Sequence, residues 1–452
     1  MFHVFLYLGI MLAVIFIWFL ALKRPIYESI LVSFLVLVTV TNKWLAIPAY
    51  FDKAMNTPLL YSMVVFVAMS VLLTKTNVVD GAVEIILSVL GRIPGGPGYV
   101  SLVASSFMGA LSGSGPGNVM ATGAITIPTM KKAGFPPELA ANIESACSYM
   151  GNMIPPSSNI VAALGAFMAL YPQTELSIGQ FWIVCWGCSI WMIIQRAITI
   201  FVFCKYYKVK PLTKDEVPKL SETIKTGWQG LFLPIIILLP FLLDYIWNAT
   251  FFTNQLGPDG AKALSSSILY FVAGIAAIFA VCVARDRNKV KITALADMFG
   301  NSIKSIAPPI GTCLFGYMIG ALFADLELDA GLQASLASLD MGKLGLCILI
   351  PLITCFLGMV IPGSSLVVMF GSVFITLFAS VGVNPLLAAA MLPCICGVMC
   401  GITPPLALGM YAGMSIAESD FGKTVKNDLW WVALEFIMEV VLLMGWLPIL
   451  GL

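Results

Sequence analysis

The 452-residue chain is 60% hydrophobic and 10% charged, with a mean hydropathy of +0.97 and a formal net charge of +1. Average soluble chains carry about 25% charged residues, so the composition excludes a soluble domain and predicts an all-α polytopic membrane protein. The near-neutral charge leaves no case for nucleic acid, and the one His, His3, argues against His-based metal chemistry.

Windows of about 20 apolar residues predict spanning helices near 2–21, 29–46, 58–74, 178–204, 228–246, 265–284, 306–324 and 428–450. Phe2–Leu20 lacks a basic n-region and a cleavage site, so it reads as a retained helix. Residues 78–92 and 326–340 read as amphipathic, interfacial arms. Lys/Arg bias places the basic loops Lys205–Lys225 and Arg285–Lys291 in the cytoplasm, together with Lys23–Arg24 and Lys131–Lys132. The N-terminus then lies outside.

Two apolar regions, 98–172 and 343–417, are interrupted by Gly, Pro, Ser and Asn. In 98–131 about 13 residues enter, "ALSGSGPGNVMATG" (110–123) follows, and about 13 residues return to Lys131–Lys132. Each arm reaches roughly 20 Å, short of the ~30 Å hydrocarbon core, which predicts a re-entrant hairpin. Segment 135–172 reads as a helix broken at Pro155–Pro156, because proline removes a donor and clashes with the preceding turn. The second region repeats the pattern. Hairpin 343–381 has its tip at "IPGSS" (361–365), and helix 384–417 is broken at "ITPP".

The two regions match at an offset of about 250 residues: Gly113–Ser114 with Gly363–Ser364, "GFPPELAA" with "GVNPLLAA", and "GNMIPPSSN" with "CGITPPLAL". An odd number of crossings in the first unit inverts the second. The chain therefore divides into a first repeat, 1–204, a cytoplasmic linker, 205–227, and a second repeat, 228–452. Hairpins and broken helices form a transport domain and the remaining spans a scaffold. Inverted repeats with discontinuous helices mark secondary transporters.

Irregular backbone at mid-membrane is tolerated only where protein or a wet cavity surrounds it. Its carbonyls, N–H groups and helix termini then bind ions and polar substrate. The candidate residues at the hairpin tips are Ser112, Gly113, Ser114, Gly115, Asn118, Gly363, Ser364 and Ser365. Those at the helix breaks are Asn152, Pro155, Pro156, Ser157, Ser158, Asn159, Thr403, Pro404 and Pro405. Oxygen ligands without Cys or His suit a hard cation such as Na⁺. Glu144 is a possible member, since an intramembrane acid is a functional candidate by default; its matched position holds Leu392 or Pro393, so it reads as an asymmetric proton or substrate group or, in the favoured reading, as a buried structural acid. A single Gly/Pro run has a bland alternative in close helix packing; two copies in corresponding positions favour the binding reading.

At these residues the sequence resembles a known family. "GRIPGGPGYVSLVASSFMGALSGSGPGN", "IPTMKKAGFPPELAANIESACSYMGNMIPPSS" and "GITPPLALGMYAGMSIA" are similar to the large membrane permease of TRAP (tripartite ATP-independent periplasmic) transporters. "NVMATGAITIPTMKKAGF" is closest to the TAXI-type branch. The resemblance covers nearly the whole chain. It implies a Na⁺-coupled elevator in the inner membrane of a bacterial or archaeal cell that takes an organic acid from an extracytoplasmic substrate-binding protein, with a small four-helix membrane subunit as a separate chain. Gly-Pro-Gly-Asn after the SGS tip departs from the family's small aliphatic residues.

Other polar groups have plainer readings. The eleven cysteines lie mostly in apolar runs and pack as small hydrophobes. Glu435 and Glu439 stand i, i+4 on the last helix, with Arg196 in its matched helix, and predict a buried ion pair or a contact with another subunit. Trp430–Trp431 reads as an interfacial anchor. Gly113-x-Gly115-x-Gly117 lacks the lysine of a phosphate loop. No Lys or Arg lies near the tips, so helix N-termini and Ser/Asn groups would receive an anion. A membrane Ser protease would need a base near Ser112 or Ser114, and none is available. A channel and a stand-alone symporter or exporter of organic anions are the remaining alternatives.

Overall fold

The computed structural model describes residues 2–452 apart from 77, 79, 113–114, 175, 285, 328–340, 360 and 405–406. Every regular element among the described residues is helical, as expected where lipid offers the backbone no partner. Phe2–Phe16 continues as a π segment, Ile17–Ala21, and Ile26–Val40 returns beside it. A short amphipathic helix, Ile47–Met55, then precedes Pro58–Thr76 and the arm Asp80–Leu90. The arm predicted at 326–340 lies almost wholly outside the described residues.

The first hairpin has arms Gly96–Ser112 and Gly115–Lys132. The first broken helix has halves Pro137–Met150 and Ser158–Leu170. The second hairpin has arms Lys343–Gly358 and Gly363–Ser380. The second broken helix runs from Pro385–Leu392 through a π segment, Pro393–Val398, to Met399–Ile402, and resumes at Leu408–Ala417. Both broken helices start on a proline, Pro137 and Pro385, at a position where the missing N–H has no helical partner to lose. Asn384 caps the second by accepting from the Leu386 N–H at 2.8 Å.

The hairpin arms are longer than the sequence reading predicts. With 16 to 18 residues each, they reach about 24–27 Å at 1.5 Å per residue. Predicted loop residues are helical because Gly, Pro and Ser are accommodated in a first turn, where backbone donors lack helical partners anyway. Helix 306–324 of the sequence reading likewise starts much earlier, at Ile292, and runs to Asp325. Thr253–Val283 kinks at Gly257, whose φ of 74° suits glycine.

The hairpins enter from opposite ends. Lys210 N–H donates to the Ala133 carbonyl and Leu212 N–H to the Gly91 carbonyl, so one strap ties both ends of the first hairpin together. The second broken helix leaves the base of the second hairpin and finishes at the base of the first, where the Lys131 ammonium donates to the Ala417 carbonyl at 2.8 Å. The halves interleave. Leu408–Ala417 packs on the first hairpin and on Pro137–Met150, while Ser158–Leu170 packs on Gly363–Ser380. Burial separates this centre from its surround. In the apolar windows of the two broken segments 78% and 89% of residues are buried, against 24% in Leu220–Val283, whose exposed Ile235, Leu239, Phe271 and Ile278 suit a lipid face.

Two spans assigned to the scaffold from sequence, Ile178–Tyr206 and Phe421–Leu443, pack on the hairpins and broken helices. Ser189 donates to the Met153 carbonyl at 2.7 Å, and the Lys343 ammonium donates to the Met444 carbonyl at 3.1 Å.

Candidate functional site

The tips and breaks meet because glycine lets backbone approach backbone. A Cβ on Gly151, at the first break, would overlap the backbone of Gly109 and Ala110 in the first hairpin. A Cβ on Gly363, at the second tip, would overlap the Cys396 carbonyl in the π segment of the second broken helix. Between them, Asn152 Nδ2 donates to the Gly397 carbonyl at 3.0 Å. The Tyr149 ring fills a slot that side chains at Gly115, Gly401 or Gly409 would occupy. The first tip and both sides of the second break therefore surround one aromatic ring, carried by the first broken helix.

The predicted tips need correction. Ser112 ends one arm and Gly115 begins the next; Gly113 and Ser114 lie outside the described residues. Gly115 and Asn118 are in the first turn of a helix, not in a loop. Gly363, Ser364 and Ser365 are also first-turn residues, following the N-cap residue Pro362, so the second hairpin reverses between Gly358 and Gly363. At the breaks, helices begin at Ser158 and Leu408. Four helix N-termini thus lie at tips or breaks, each matched by the C-terminus of the preceding segment. N-termini favour anions and C-termini favour cations, so the centre suits both.

Side-chain chemistry is unequal between the halves. Asn118, 1% exposed, donates through Nδ2 to the Ser105 carbonyl at 2.7 Å, while its Oδ1 has no partner. Ser105 Oγ and Ser145 Oγ are also buried without partners. Such groups are costly unless something satisfies them, and oxygen donors are the type that a hard cation takes. Ser157 serves the break itself. Its hydroxyl donates to the Asn152 carbonyl at 2.6 Å and accepts from the Asn159 N–H at 3.1 Å, an N-cap. Pro155 and Pro156 are buried and Ser158 is half-buried. In the second half, the Thr403 hydroxyl donates to the Met399 carbonyl at 2.6 Å and lies 3.8 Å from Cys355 Sγ. Pro404 is half-buried, and Pro405 lies outside the described residues. A π segment frees backbone groups from the helical ladder, and nothing in "PCICGV" announces one.

Glu144 is held as a buried structural acid, one of the two readings its sequence position offers. Its Oε1 accepts from Thr122 at 2.5 Å and Ser148 at 3.0 Å, and its Oε2 from Ser101 at 2.7 Å and Thr126 at 2.5 Å. Four hydroxyls use the carboxylate's roughly four lone-pair sites, leaving none for an ion. Glu144 ties both arms of the first hairpin to the first broken helix.

A cavity of about 980 Å³ opens beside this centre, between Ser158–Leu170, Gly363–Ser380 and the surrounding spans. Ala162, Gly165, Val368 and Ser372 line its inner wall, each within a few turns of a tip or break. Lys53 and Lys262 line it too, with Asp52 and Asp259 beside them. The sequence reading found no basic group near the tips; chain folding brings these two lysines to the approach. Trp431, expected at an interface, is fully buried against Arg196, and only Trp430 is exposed.

Two hairpins and two broken helices of opposite sense, closing on one polar centre beside a cavity, define a membrane permease of the secondary-transporter class. Residues 9–450 match the family described as "Tripartite ATP-independent periplasmic transporter, DctM component", and the chain belongs to it. It is 23% identical to the C4-dicarboxylate TRAP transporter large permease protein DctM of Vibrio cholerae, covering 85% of this chain and 84% of that one. It is 21% identical to the sialic acid TRAP transporter large permease protein SiaM of the same species, with 80% and 79% covered. It is 22% identical to the 2,3-diketo-L-gulonate TRAP transporter large permease protein YiaN of Escherichia coli, with 79% and 78% covered. The YdaH transporter of Alcanivorax borkumensis superposes with a TM-score of 0.63 at 18% identity, covering 90% and 88% of the two chains, which shows a shared fold. The relatives are transporter permeases, not enzymes, and permeases of this family work with a substrate-binding protein and a small membrane subunit.

Proposed function

We propose that the chain imports a small organic acid across the inner membrane by Na⁺-coupled, elevator-type alternating access. The extracytoplasmic binding protein delivers the acid, and the small four-helix subunit is a separate chain. The observation that carries the reading is the set of unpartnered buried oxygens, Ser105 Oγ, Asn118 Oδ1 and Ser145 Oγ, beside converging helix termini. A cation there satisfies the oxygens and orders the tip, and the ordered tip completes the substrate site, which is how an ion shifts a conformational population. The Lys53 and Lys262 side chains draw a carboxylate into the cavity, and helix N-termini at Gly363 and Ser158 receive it. C4-dicarboxylates, sialic acid and diketogulonate, named for the relatives, are all organic acids, so the carboxylate is the shared element. The Lys/Arg pattern places the cavity on the extracytoplasmic side and the N-terminus outside.

The two repeats, 1–204 and 228–452 around the linker 205–227, supply one hairpin and one broken helix each to the moving body. Ile178–Tyr206 and Phe421–Leu443 move with that body, because they are hydrogen-bonded to the first break and to the second hairpin's base. The residues around Asn118 support a place for the chain in the TAXI-type branch. In proteoliposomes holding the permease and its small subunit, an inward Na⁺ gradient plus loaded binding protein drives uptake, and either alone does not. Uptake with binding protein but without Na⁺ overturns the coupling. Uptake without binding protein supports a stand-alone symporter instead.

A further inference from the structure

A second polar cluster lies away from the tips, where the last helix meets the second broken helix. Arg196, Asp428, Glu435 and Glu439 are all fully buried. Arg196 Nη2 donates to Glu435 Oε2 at 2.6 Å, and its guanidinium sits over the Trp431 ring with Cζ 5.7 Å from the centroid. Cys394 Sγ donates to Glu435 Oε1 at 3.7 Å. One ligand atom each from Cys394, Glu435 and Glu439 falls within 4.8 Å of the others. Asn142 Nδ2 donates to Asp428 Oδ1 at 3.1 Å. Both carboxylate oxygens of Glu439 lack a partner, as do Asp428 Oδ2 and two nitrogens of Arg196, Nε and Nη1.

Charge counting shows what the cluster needs. One guanidinium faces three carboxyls, so full ionisation would leave two uncompensated negative charges in a site without water access. An unpaired buried charge costs far more than its neutral form, and the usual resolution is to bind a proton. Arg196 is committed to Glu435, which leaves Asp428 and Glu439 without a counter-ion; Asp428 keeps one amide donor, from Asn142, whereas neither oxygen of Glu439 has a partner. A metal cation fits poorly: the third ligand is a soft thiol, and the guanidinium already carries positive charge into the site. The other titratable groups packed around Glu439 are Cys396 and Cys400 of the second broken helix and Cys355 of the second hairpin. None of them supplies a positive charge.

We propose that Glu439 is a proton-binding site of the transport cycle, distinct from the cation site at the first hairpin. Its proton keeps the Arg196–Glu435 pair intact. When the proton leaves for the aqueous phase, Glu439 becomes a second claimant on Arg196, whose Nε and Nη1 are free to bond it. The pair then reorganises at the joint between the last helix and the π segment Pro393–Val398, where the second broken helix carries the Gly397 carbonyl that holds Asn152. Protonation at Glu439 is thus coupled to the backbone of the candidate site. Asp428, Glu435 and Glu439 lie at i, i+7 and i+11, a single helix face spanning about 16 Å. That stripe gives the proton a route toward the Asp428 end, in the manner of acid chains in other pumps and transporters.

The proposal rests on the transporter reading but not on its Na⁺ site, and its test separates the two. Infrared difference spectra of the purified protein between acid and alkaline buffer, without Na⁺ or substrate, report protonated carboxyls directly. The wild type shows a protonated-carboxyl band with a component that Glu439→Gln removes and that Asp428→Asn and Glu144→Gln keep. In proteoliposomes at saturating Na⁺, uptake by the wild type changes at least threefold with pH, and uptake by Glu439→Gln is flat. A wild-type protein without a protonated-carboxyl band overturns the proposal even if no variant folds. A band unchanged by Glu439→Gln, or a pH dependence that survives it, overturns it as well. Loss of Na⁺ dependence with the infrared result intact would instead remove the Na⁺ reading alone.

Discussion

The two halves of the site share their backbone and differ in their side chains. Around the first hairpin, Glu144 gathers four hydroxyls, and Asn118, Ser105 and Ser145 leave three buried oxygens open. Around the second, the matched positions are Leu392 and Pro393, and the break is lined by Cys394, Cys396, Gly397, Cys400 and Thr403. There the polar atoms on offer are mostly main-chain carbonyls freed by the π segment. Inverted duplication therefore fixes where helices stop, while the chemistry at each stop is free to diverge. The first half offers a ligand side-chain oxygens and the second mostly main-chain carbonyls.

If close backbone approach is the shared part, then breaking it harms both halves alike. Gly151→Ala places a Cβ into Gly109 and Ala110, and Gly363→Ala places one into the Cys396 carbonyl. Backbone cannot rotate aside as a side chain can, so each substitution is expected to cost about 3 kcal/mol and to abolish uptake. Thermal unfolding and proteoliposome uptake of both variants check this. A tolerated Gly363→Ala beside a damaging Gly151→Ala would mean that the second tip is loosely held and that the likeness of the halves is only in sequence.

The carboxylate hub belongs to the first half alone. Thr122→Val removes one donor from Glu144 and leaves a charged, buried acceptor short of a partner, at a cost of about 1.5–3 kcal/mol. The half-saturating Na⁺ concentration is expected to stay unchanged, because Glu144 has no lone pair left for the ion. Denaturant or thermal unfolding beside a Na⁺ titration separates the two readouts. A shift in Na⁺ affinity larger than the stability loss predicts would put Glu144 back among the ligands.

The breaks were legible in sequence for the reason that makes them functional. Pro155–Pro156 and Pro404 cannot continue a helix, and lipid leaves few reasons to keep them, so they stand out in an apolar background. The repeat was legible because the punctuation recurs at one spacing. Less visible was where punctuation ends and helix begins. Gly115, Asn118, Ser364 and Ser365 look like loop residues but are first-turn residues, where composition and conformation part company. The Glu144 hub could not be read, since Ser101, Thr122, Thr126 and Ser148 come from three segments and share no spacing until the hairpin folds. A signal was present for the buried pair, in Arg196 and the i, i+4 acids, but not for the burial of Trp431, which depends on Arg196 lying over its ring. Lys53 and Lys262 are 209 positions apart by their numbering, and only the cavity relates them.

The ion-binding difference between the halves is tested by a matched pair of smaller changes. Asn118→Ala deletes an unpartnered buried oxygen and one hydrogen bond to Ser105. It is expected to raise the half-saturating Na⁺ concentration about tenfold, equivalent to ~1.4 kcal/mol, with a stability change of about 1 kcal/mol.

Thr403→Val is the counterpart in the second half and the smallest of these effects. The Thr403 hydroxyl already donates to the Met399 carbonyl at 2.6 Å, so its loss returns that carbonyl to the backbone pool without removing the carbonyls of the break. A rise of about twofold in half-saturating Na⁺, or ~0.4 kcal/mol, is expected from a Na⁺ titration of uptake. The ratio of the two shifts is the informative quantity. If Thr403→Val weakens Na⁺ as much as Asn118→Ala, then the second half also binds through side chains, and the division between a side-chain half and a backbone half does not hold. If it weakens Na⁺ severalfold less, the divergence between the repeats reaches the ion itself, because a ligand set made of main-chain carbonyls is insensitive to the side chains around it.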